Sequence, residues 1–369
     1  MSLIDNFTDR YLPPDKLNPF LWSLKNLGNL NVLGYSEEKR PIYGYKIGKG
    51  SLKVLIWSQM HGNESTTTKA IIDLLSLFEN GDLPELLKKL KLIIIPQLNP
   101  DGAAVYTRFN TNSVDLNRDF VNLTQSESKT LMKVLNKTNP DFCFNLHGQR
   151  TIYSAGKMGL PATLSFLAPA SDDKGTISKS RENSMKLIAS INSSMQMDIP
   201  NQIARFDDKF NINCVGDRFS SLGVSTILFE AGHYPNDYNR NITRKHILNA
   251  LVHALKSLNK NTYRSYTAKD YLKIPENKTD YCDLLIKGVD IIDNQILYPN
   301  QSLIINYKEV LNNSVIEFIP QQVNYLPLYK GLSHKSISFK DSGLLGPVYF
   351  EKGNTNKEIK HLVNKLLNI

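Results

Sequence analysis

Short apolar runs separated by helical patterns constrain this chain most. Val54–Trp57, Leu92–Pro96 (LIIIP), Phe142–Leu146 and Ser225–Phe229 (STILF) are too short for buried helices and rich in β-branched and aromatic residues. They are apolar on both faces, as strands covered by helices on both sides are. Between them, Thr66–Phe78 carries Ala70, Ile71, Leu74, Leu75 and Phe78 at helical spacing and stops at Asn80-Gly81. Ser126–Asn136, Glu182–Met195, Cys214–Ser221 and Arg244–Leu258 also read as helices. Such alternation predicts an α/β domain with a mostly parallel sheet.

The two ends read differently. Residues 1–30 predict one or two short helices, the first broken by Pro13-Pro14 and the second started by Asn18-Pro19. Residues 31–48 predict a hairpin turning at Glu37–Arg40. The last hundred residues hold alternating runs (LLIKGVDII, QSLIINY, SVIEFI) broken by Asn, Pro and Gly, and end in a helical pattern at Lys357–Leu367. The expected division is a catalytic α/β domain over 1–265 and a β-rich module over 266–369. A length of 369 residues fits two domains.

Composition excludes several classes. With 41% hydrophobic and 21% charged residues, the chain is neither collagen-like nor disordered throughout. No run reaches the roughly 18 apolar residues of a membrane span. Asp5 and Asp9 lie where a signal peptide needs an apolar run, so a cytoplasmic protein is expected. Cys143, Cys214 and Cys282 form no CxxC pair, and the first two read as small buried hydrophobes. The net charge of +9 is spread over short clusters (Lys88, Lys89, Lys91; Lys256, Lys260; Lys357, Lys360), read as helical and without a nucleic-acid signature. A solvated basic surface is expected, with no nucleic-acid or membrane partner.

Residues with ligand and acid–base chemistry recur just after the predicted strands, where open α/β sheets place their sites. His61 and Glu64 follow the first, and at this spacing can meet one metal ion, with Gly62 relieving crowding between them. Asn99-Pro100-Asp101-Gly102 follows the second and reads as a turn. The segment 107–120 concentrates Arg108, Asp115, Asn117 and Arg118, which could grip a carboxylate and stabilise an oxyanion. His147 ends the third strand and would complete a His₂Glu set with one open position, the arrangement of catalytic zinc. Glu230 ends the fourth; a carboxylate there is costly unless it pairs or works, and near a metal it would serve as general base. His233 reads as a supporting or structural residue.

His61-x-x-Glu64, Asn99-Pro-Asp-Gly102, Arg108, Asp115-x-Asn117-Arg118, Leu146-His147 and Phe229-Glu230 occur in the order and approximate spacing of the zinc metallocarboxypeptidases of the carboxypeptidase A type. The chain resembles that family over about residues 15–260, and TRFNTNSVDLNR after NPDG looks like the bacterial branch with murein-tripeptide amidases. The resemblance implies a mixed, largely parallel eight-stranded sheet flanked by helices. It implies one Zn²⁺ held by His61, Glu64 and His147, with Asp115 fixing the first histidine's tautomer. Arg108 would polarise the scissile carbonyl, Asn117 and Arg118 would bind the substrate's terminal carboxylate, and Glu230 would be the general base. The substrate would be a peptide or acyl-amino acid with a free carboxylate.

Departures from the family pattern accompany the match. The mobile tyrosine expected some twenty residues before the glutamate has no counterpart in Arg205–Phe210. Asp119 stands where many relatives have Asn, and Val215 and Asp217 lie near the expected specificity pocket. The C-terminal module lies outside the family's usual catalytic domain. Aspartoacylase and succinylglutamate desuccinylase share an HGNE-like motif, an Arg before DLNR and a C-terminal β module, so a zinc deacylase of N-acyl amino acids is the alternative. A catalytically dead peptide- or carbohydrate-binding relative is a third reading, disfavoured because His61, Glu64, His147, Arg108 and Glu230 are all present.

Overall fold

The computed structural model describes residues 4, 6–24, 26–28, 30–156, 159–342, 346–350 and 361–364. One compact unit takes Met1–Gln149 and Ala155–Asn277; a second takes Arg150–Ser154 and Lys278–Ile369. The first unit runs to Asn277 and includes the short helix Ala268–Leu272.

The strands of the chain up to Ala231 are β1 (Leu30–Tyr35), β2 (Pro41–Ile47), β3 (Leu52–Ser58), β4 (Leu90–Ile95), β5 (Phe142–Gly148), β6 (Tyr153–Ala155), β7 (Leu164–Leu167), β8 (Ile203–Arg205) and β9 (Ser225–Ala231). All but β6 join one eight-stranded sheet in the order β1-β2-β4-β3-β5-β9-β7-β8. β4, β3, β5 and β9 run parallel at its centre, while β2 and β7 pair antiparallel with β4 and β9. The mixed, largely parallel sheet is as expected. Period-two alternation sends Val54, Ile56, Phe144 and Phe229 into one core layer, and Leu55, Trp57, Ile93 and Cys143 into the other.

Helices cover both faces: α1 (Pro14–Ser23), α2 (Ser65–Glu79), α3 (Pro84–Lys89), α4 (Pro100–Ala104), α5 (Ser126–Thr138), α6 (Lys179–Met195), α7 (Val215–Ser221), α8 (Asn241–Lys260) and α9 (Ala268–Leu272). Pro14 starts α1 rather than breaking a helix, since the first turn needs no N–H from it, and Pro19 lies inside the same helix. The NPDG run forms the short α4, with the Asn99 side chain accepting from Gly102 N–H at 2.8 Å, rather than a simple turn. Lys91 lies on β4, not on a helix. Among the described residues no helix is long and apolar enough to cross a membrane.

The topology decides where a site can form. From β3 the chain passes through α2 to β4 on one side, then returns to β5 on the other side of β3. The carboxyl ends of β3 and β5 therefore flank a topological switch point, where the outgoing segments diverge and leave a crevice.

The second unit is β-rich. β10 (Asn277–Thr279) leads into β11 (Tyr281–Asp293), β12 (Ile296–Asn312) and β13 (Val315–Leu326), an antiparallel meander. β14 (Leu332–Ser338) and β15 (Val348–Phe350) run parallel to β11. Two-residue turns at Asn294-Gln295 and Asn313-Ser314 have positive φ at both positions (49° and 65°, 47° and 64°), the geometry that matches strand twist. Leu284, Ile286, Ile291, Leu303 and Ile305 form its core. Of the helix expected at Lys357–Leu367, only 361–364 are described, and they are helical; the rest lies outside the described residues.

Candidate metal centre and active site

His61 leaves β3 in a tight turn closed by Glu64 N–H donating to the His61 carbonyl (3.1 Å), and Glu64 stands just ahead of α2. The turn requires glycine at 62 for a reason different from the one read in sequence. A Cβ there would lie 2.0 Å from the Gly102 carbonyl carbon, and a Cβ on Gly102 would lie 2.4 Å from the Phe109 carbonyl oxygen. The His61 turn, α4 and the Arg108 loop are stacked backbone on backbone.

His147 and Glu64 complete the cluster. His61 Nδ1 lies 2.8 Å from Glu64 Oε1, His147 Nδ1 lies 2.9 Å from Glu64 Oε2, and the two Nδ1 atoms are 3.1 Å apart. Gly148 N–H also donates to Glu64 Oε2 (2.9 Å). Both histidines are 2% exposed. With Glu64 ionised, no protonation of the two Nδ1 atoms satisfies all three contacts: with both protonated, two N–H groups oppose each other; with one protonated, a bare nitrogen faces a carboxylate oxygen. A cation answers all three contacts at once. Ligand bonds of about 2.0–2.1 Å in a tetrahedral site put donor atoms about 3.3 Å apart, close to the separations here. The three residues are the one group of metal-ligand type among the described residues, and the donor set fits zinc.

Asp115 ties the surrounding groups together. Its Oδ1 accepts from His61 Nε2 (3.0 Å) and Asn117 N–H (2.9 Å); its Oδ2 accepts from Arg108 Nε (3.1 Å) and Nη2 (3.0 Å). A proton fixed on Nε2 leaves Nδ1 with the lone pair a metal needs. Burial would raise the Asp115 carboxyl, but His61 and Arg108 outweigh it and hold it well below the usual carboxylate range. Burial lowers His147, with Glu64 opposing, so it stays neutral and ready to ligate. Arg108 is 3.6 Å from Glu64 Oε1 through Nη1, which aims it at the centre.

Glu230 stands directly opposite His147 in the β5–β9 register, so the two side chains share one face of the sheet. Its Oε2 is buried and without a hydrogen-bond partner among the described residues. Burial, and then the Glu64 charge, push its carboxyl well above the ordinary value.

The remaining expected residues are placed less uniformly. Asn117 Oδ1 accepts from Val215 N–H at 3.0 Å, which leaves the NH₂ half of the amide as its donor. Arg118 is exposed; its Nη1 donates to the Asn117 carbonyl (2.7 Å), so it adjoins Asn117 but makes no contact with the ligand cluster. Val215 is fully buried, and Asp217 is buried with Oδ2 accepting from Asn211 N–H (2.8 Å); burial pushes Asp217 up to about 6. Asp119 caps the approach to α5, accepting from Thr124 and Gln125 N–H groups (2.8 and 2.9 Å), and is no part of the site. His233 is buried with its ring 4.8 Å from that of Tyr238. Cys143 and Cys282 are buried, whereas Cys214 is only half-buried.

A buried His₂Glu centre beside a carboxylate, at the switch point of an eight-stranded α/β sheet, defines a metallohydrolase-type site. Residues 23–155 match the family model described as zinc carboxypeptidase. Carboxypeptidase 2 of Trichophyton rubrum is 28% identical over 106 residues, which cover 26% of this chain and 19% of that protein. Rat carboxypeptidase D is 25% identical over 202 residues, covering 46% of this chain and 14% of the relative. The chain thus spans a minor part of the curated relatives it matches. Among solved structures, a metallo-carboxypeptidase from Burkholderia cenocepacia superposes with a TM-score of 0.56 at 18% identity, covering 69% of this chain and 71% of that one. Bovine thrombin-activatable fibrinolysis inhibitor gives 0.58 at 17%, covering 69% and 99%. Over residues 23–155 the chain is similar to the zinc carboxypeptidase family, and its fold is that of the carboxypeptidase structures.

Sequence reasoning missed Arg240. It is buried, follows Glu230 at no motif spacing, and donates to backbone carbonyls that no local pattern marks.

Proposed function

We propose that this chain is a zinc-dependent carboxypeptidase, hydrolysing the amide bond next to a free C-terminal carboxylate. The observation that carries the reading is the convergence of His61, Glu64 and His147, with Glu230 beside His147 on the same sheet face. Held by those three residues, zinc would supply Lewis acidity, making water more acidic and polarising a carbonyl.

The chain's own residues supply the rest. Glu230 takes a proton from the attacking water onto its carboxylate and returns it to the leaving amine. Its buried Oε2 has no hydrogen-bond partner among the described residues, which leaves a lone pair for that proton. Arg108, held by two N–H bonds to Asp115, donates toward the carbonyl oxygen where negative charge develops. The Asn117 amide and the Arg118 guanidinium, adjacent on one turn, bind the substrate carboxylate; an exposed guanidinium can swing from the Asn117 carbonyl to a bidentate carboxylate partner. For substrate class we propose cell-wall-type peptides, supported by the NPDG and TRFNTNSVDLNR runs.

The test is a mass-spectrometric assay of the zinc-loaded protein. The mixture holds free-acid peptides, their C-terminal amides, a γ-glutamyl-diaminopimelate peptide and N-acyl amino acids, with Glu230→Gln as blank. Loss of C-terminal residues from free acids alone supports the reading, and first cleavage of the diaminopimelate peptide supports the substrate class. Release of acyl groups would replace it with the deacylase, and no turnover with zinc bound would overturn it.

A further inference from the structure

Arg240 occupies a position a long side chain rarely takes. Its backbone is in the left-handed region (φ 60°, ψ 26°) just ahead of α8, a conformation that is strained for a non-glycine residue. Its side chain is buried, 2% exposed as a residue. The guanidinium spans two strand ends. Nη1 donates to the carbonyls of Ala231 (2.8 Å) and Gly232, and Nη2 donates to the carbonyl of Gln149 (3.0 Å). Ala231 and Gly232 follow Glu230; Gln149 lies two residues beyond His147. Past this point the sheet ladder between the two strands ends: its last bond is Gln149 N–H to the Ala231 carbonyl (3.0 Å). The chain then parts, and carbonyls turned out of a sheet need donors.

We propose that Arg240 is a positioning residue that locks the end of β9, carrying Glu230, to the end of β5, carrying His147. The inference rests on the function proposed above. A planar fork with five donors reaches three carbonyls on two strands; an ammonium at the same place is a compact point charge with no fork to match them. The strained backbone fits this role, since surrounding structure must over-determine such a conformation. The neighbouring turn is equally confined: Gly232 N–H donates to the Thr163 carbonyl (2.8 Å), and a Cβ on Gly232 would sit 1.9 Å from the Ala162 carbonyl oxygen. Displacing a base by about 1 Å relative to the reacting atoms can cost about a hundredfold in rate.

The test uses the full-length metal-loaded protein and its Arg240→Ala and Arg240→Lys variants. Arg240→Ala is expected to lower kcat about tenfold to a hundredfold, with KM held within about twofold. Millimolar guanidinium ion should restore part of the loss, and Arg240→Lys should not match wild type. Cobalt-loaded protein provides a readout free of peptide turnover: the visible absorption bands should shift in Arg240→Ala and move back with guanidinium. Wild-type kcat in a folded Arg240→Ala protein would overturn the proposal. So would a loss that simply follows the melted fraction and resists guanidinium, or cobalt bands identical in all three proteins. If the wild-type protein cleaves no peptide, the proposed function fails, and the cobalt bands still decide the role of Arg240.

Discussion

Glu127, in the first turn of α5, is fully buried, which makes its charge a burden on stability. Its own backbone N–H donates to the carboxyl, but its other donors are distant: Asn110 Nδ2 and Glu37 N–H both lie at 3.5 Å, too far for strong hydrogen bonds. Burial, with the nearby Asp101 charge adding to it, pushes the carboxyl from 4.5 up to about 7. A carboxyl raised on folding stabilises the folded state below its unfolded pKa, and that stabilisation is lost as pH rises through the folded value. At about 1.4 kcal/mol per pH unit, the rise to about 7 corresponds to about 3 kcal/mol. The helix N-terminus has already offset part of the cost of the charge. Glu127→Gln keeps the shape and removes the charge. In urea denaturation of the zinc-loaded proteins, the variant should match wild type at pH 4.5 and be more stable by about 3 kcal/mol at pH 8.5. A stability difference that does not change with pH, or a variant less stable at pH 8.5, would refute the burial argument.

Other substitutions separate the roles in the site. Glu230→Gln should keep zinc in a chelator competition and lose about 10²–10⁴ in turnover, the usual worth of a positioned base; near-wild-type turnover would remove Glu230 from that role. His147→Ala should lose tightly bound zinc, measured by metal analysis after dialysis. Asp115→Asn should weaken zinc binding about 10- to 100-fold, because the imidazole tautomer and Arg108 lose one shared acceptor; unchanged affinity and kcat would show that Asp115 supports neither. Arg118→Ala should raise KM and abolish discrimination between free-acid and amidated C-termini; a protein that still discriminates has its carboxylate clamp elsewhere.

The centre of the sheet was readable because each strand is covered on both faces. Continuous apolar runs such as Leu92–Ile95 have no polar period to confuse them, and the buried sheet places them as read. The candidate ligand cluster was readable for a related reason. A histidine or carboxylate at the end of such a run must either work or pair, and His61, His147 and Glu230 stand at the crevice between strand ends. Prolines misled at the N-terminus: Pro14 starts α1, where the first turn needs no N–H from it, and Pro19 lies inside that helix instead of starting a second one. Gly62 was read for a contact within its own turn. Its actual constraint is the Gly102 backbone, forty residues away in sequence and therefore invisible to local spacing.

Groups that act through backbone carbonyls leave the faintest trace in sequence. Asp115 could be inferred because its partners, His61 and Arg108, are side chains with chemistry of their own. Arg240 has carbonyls as its partners, which every residue carries, and its donors become meaningful only once β5 and β9 are known to be neighbours. The two residues nevertheless constrain the same geometry from opposite sides. Asp115 fixes His61 and Arg108 at the end of β3, while Arg240 fixes Glu230 to His147 across β9 and β5. Glu64 links the halves, since one oxygen meets His61 and the other meets both His147 and Gly148 N–H. Loosening either side should therefore misplace Glu230 relative to Arg108 and the substrate carbonyl. Residues that share one geometric constraint do not contribute additively. The double variant Asp115→Asn/Arg240→Lys should thus lose less in kcat than the product of the single losses, whereas a strictly multiplicative loss would mean that the two ends are set independently.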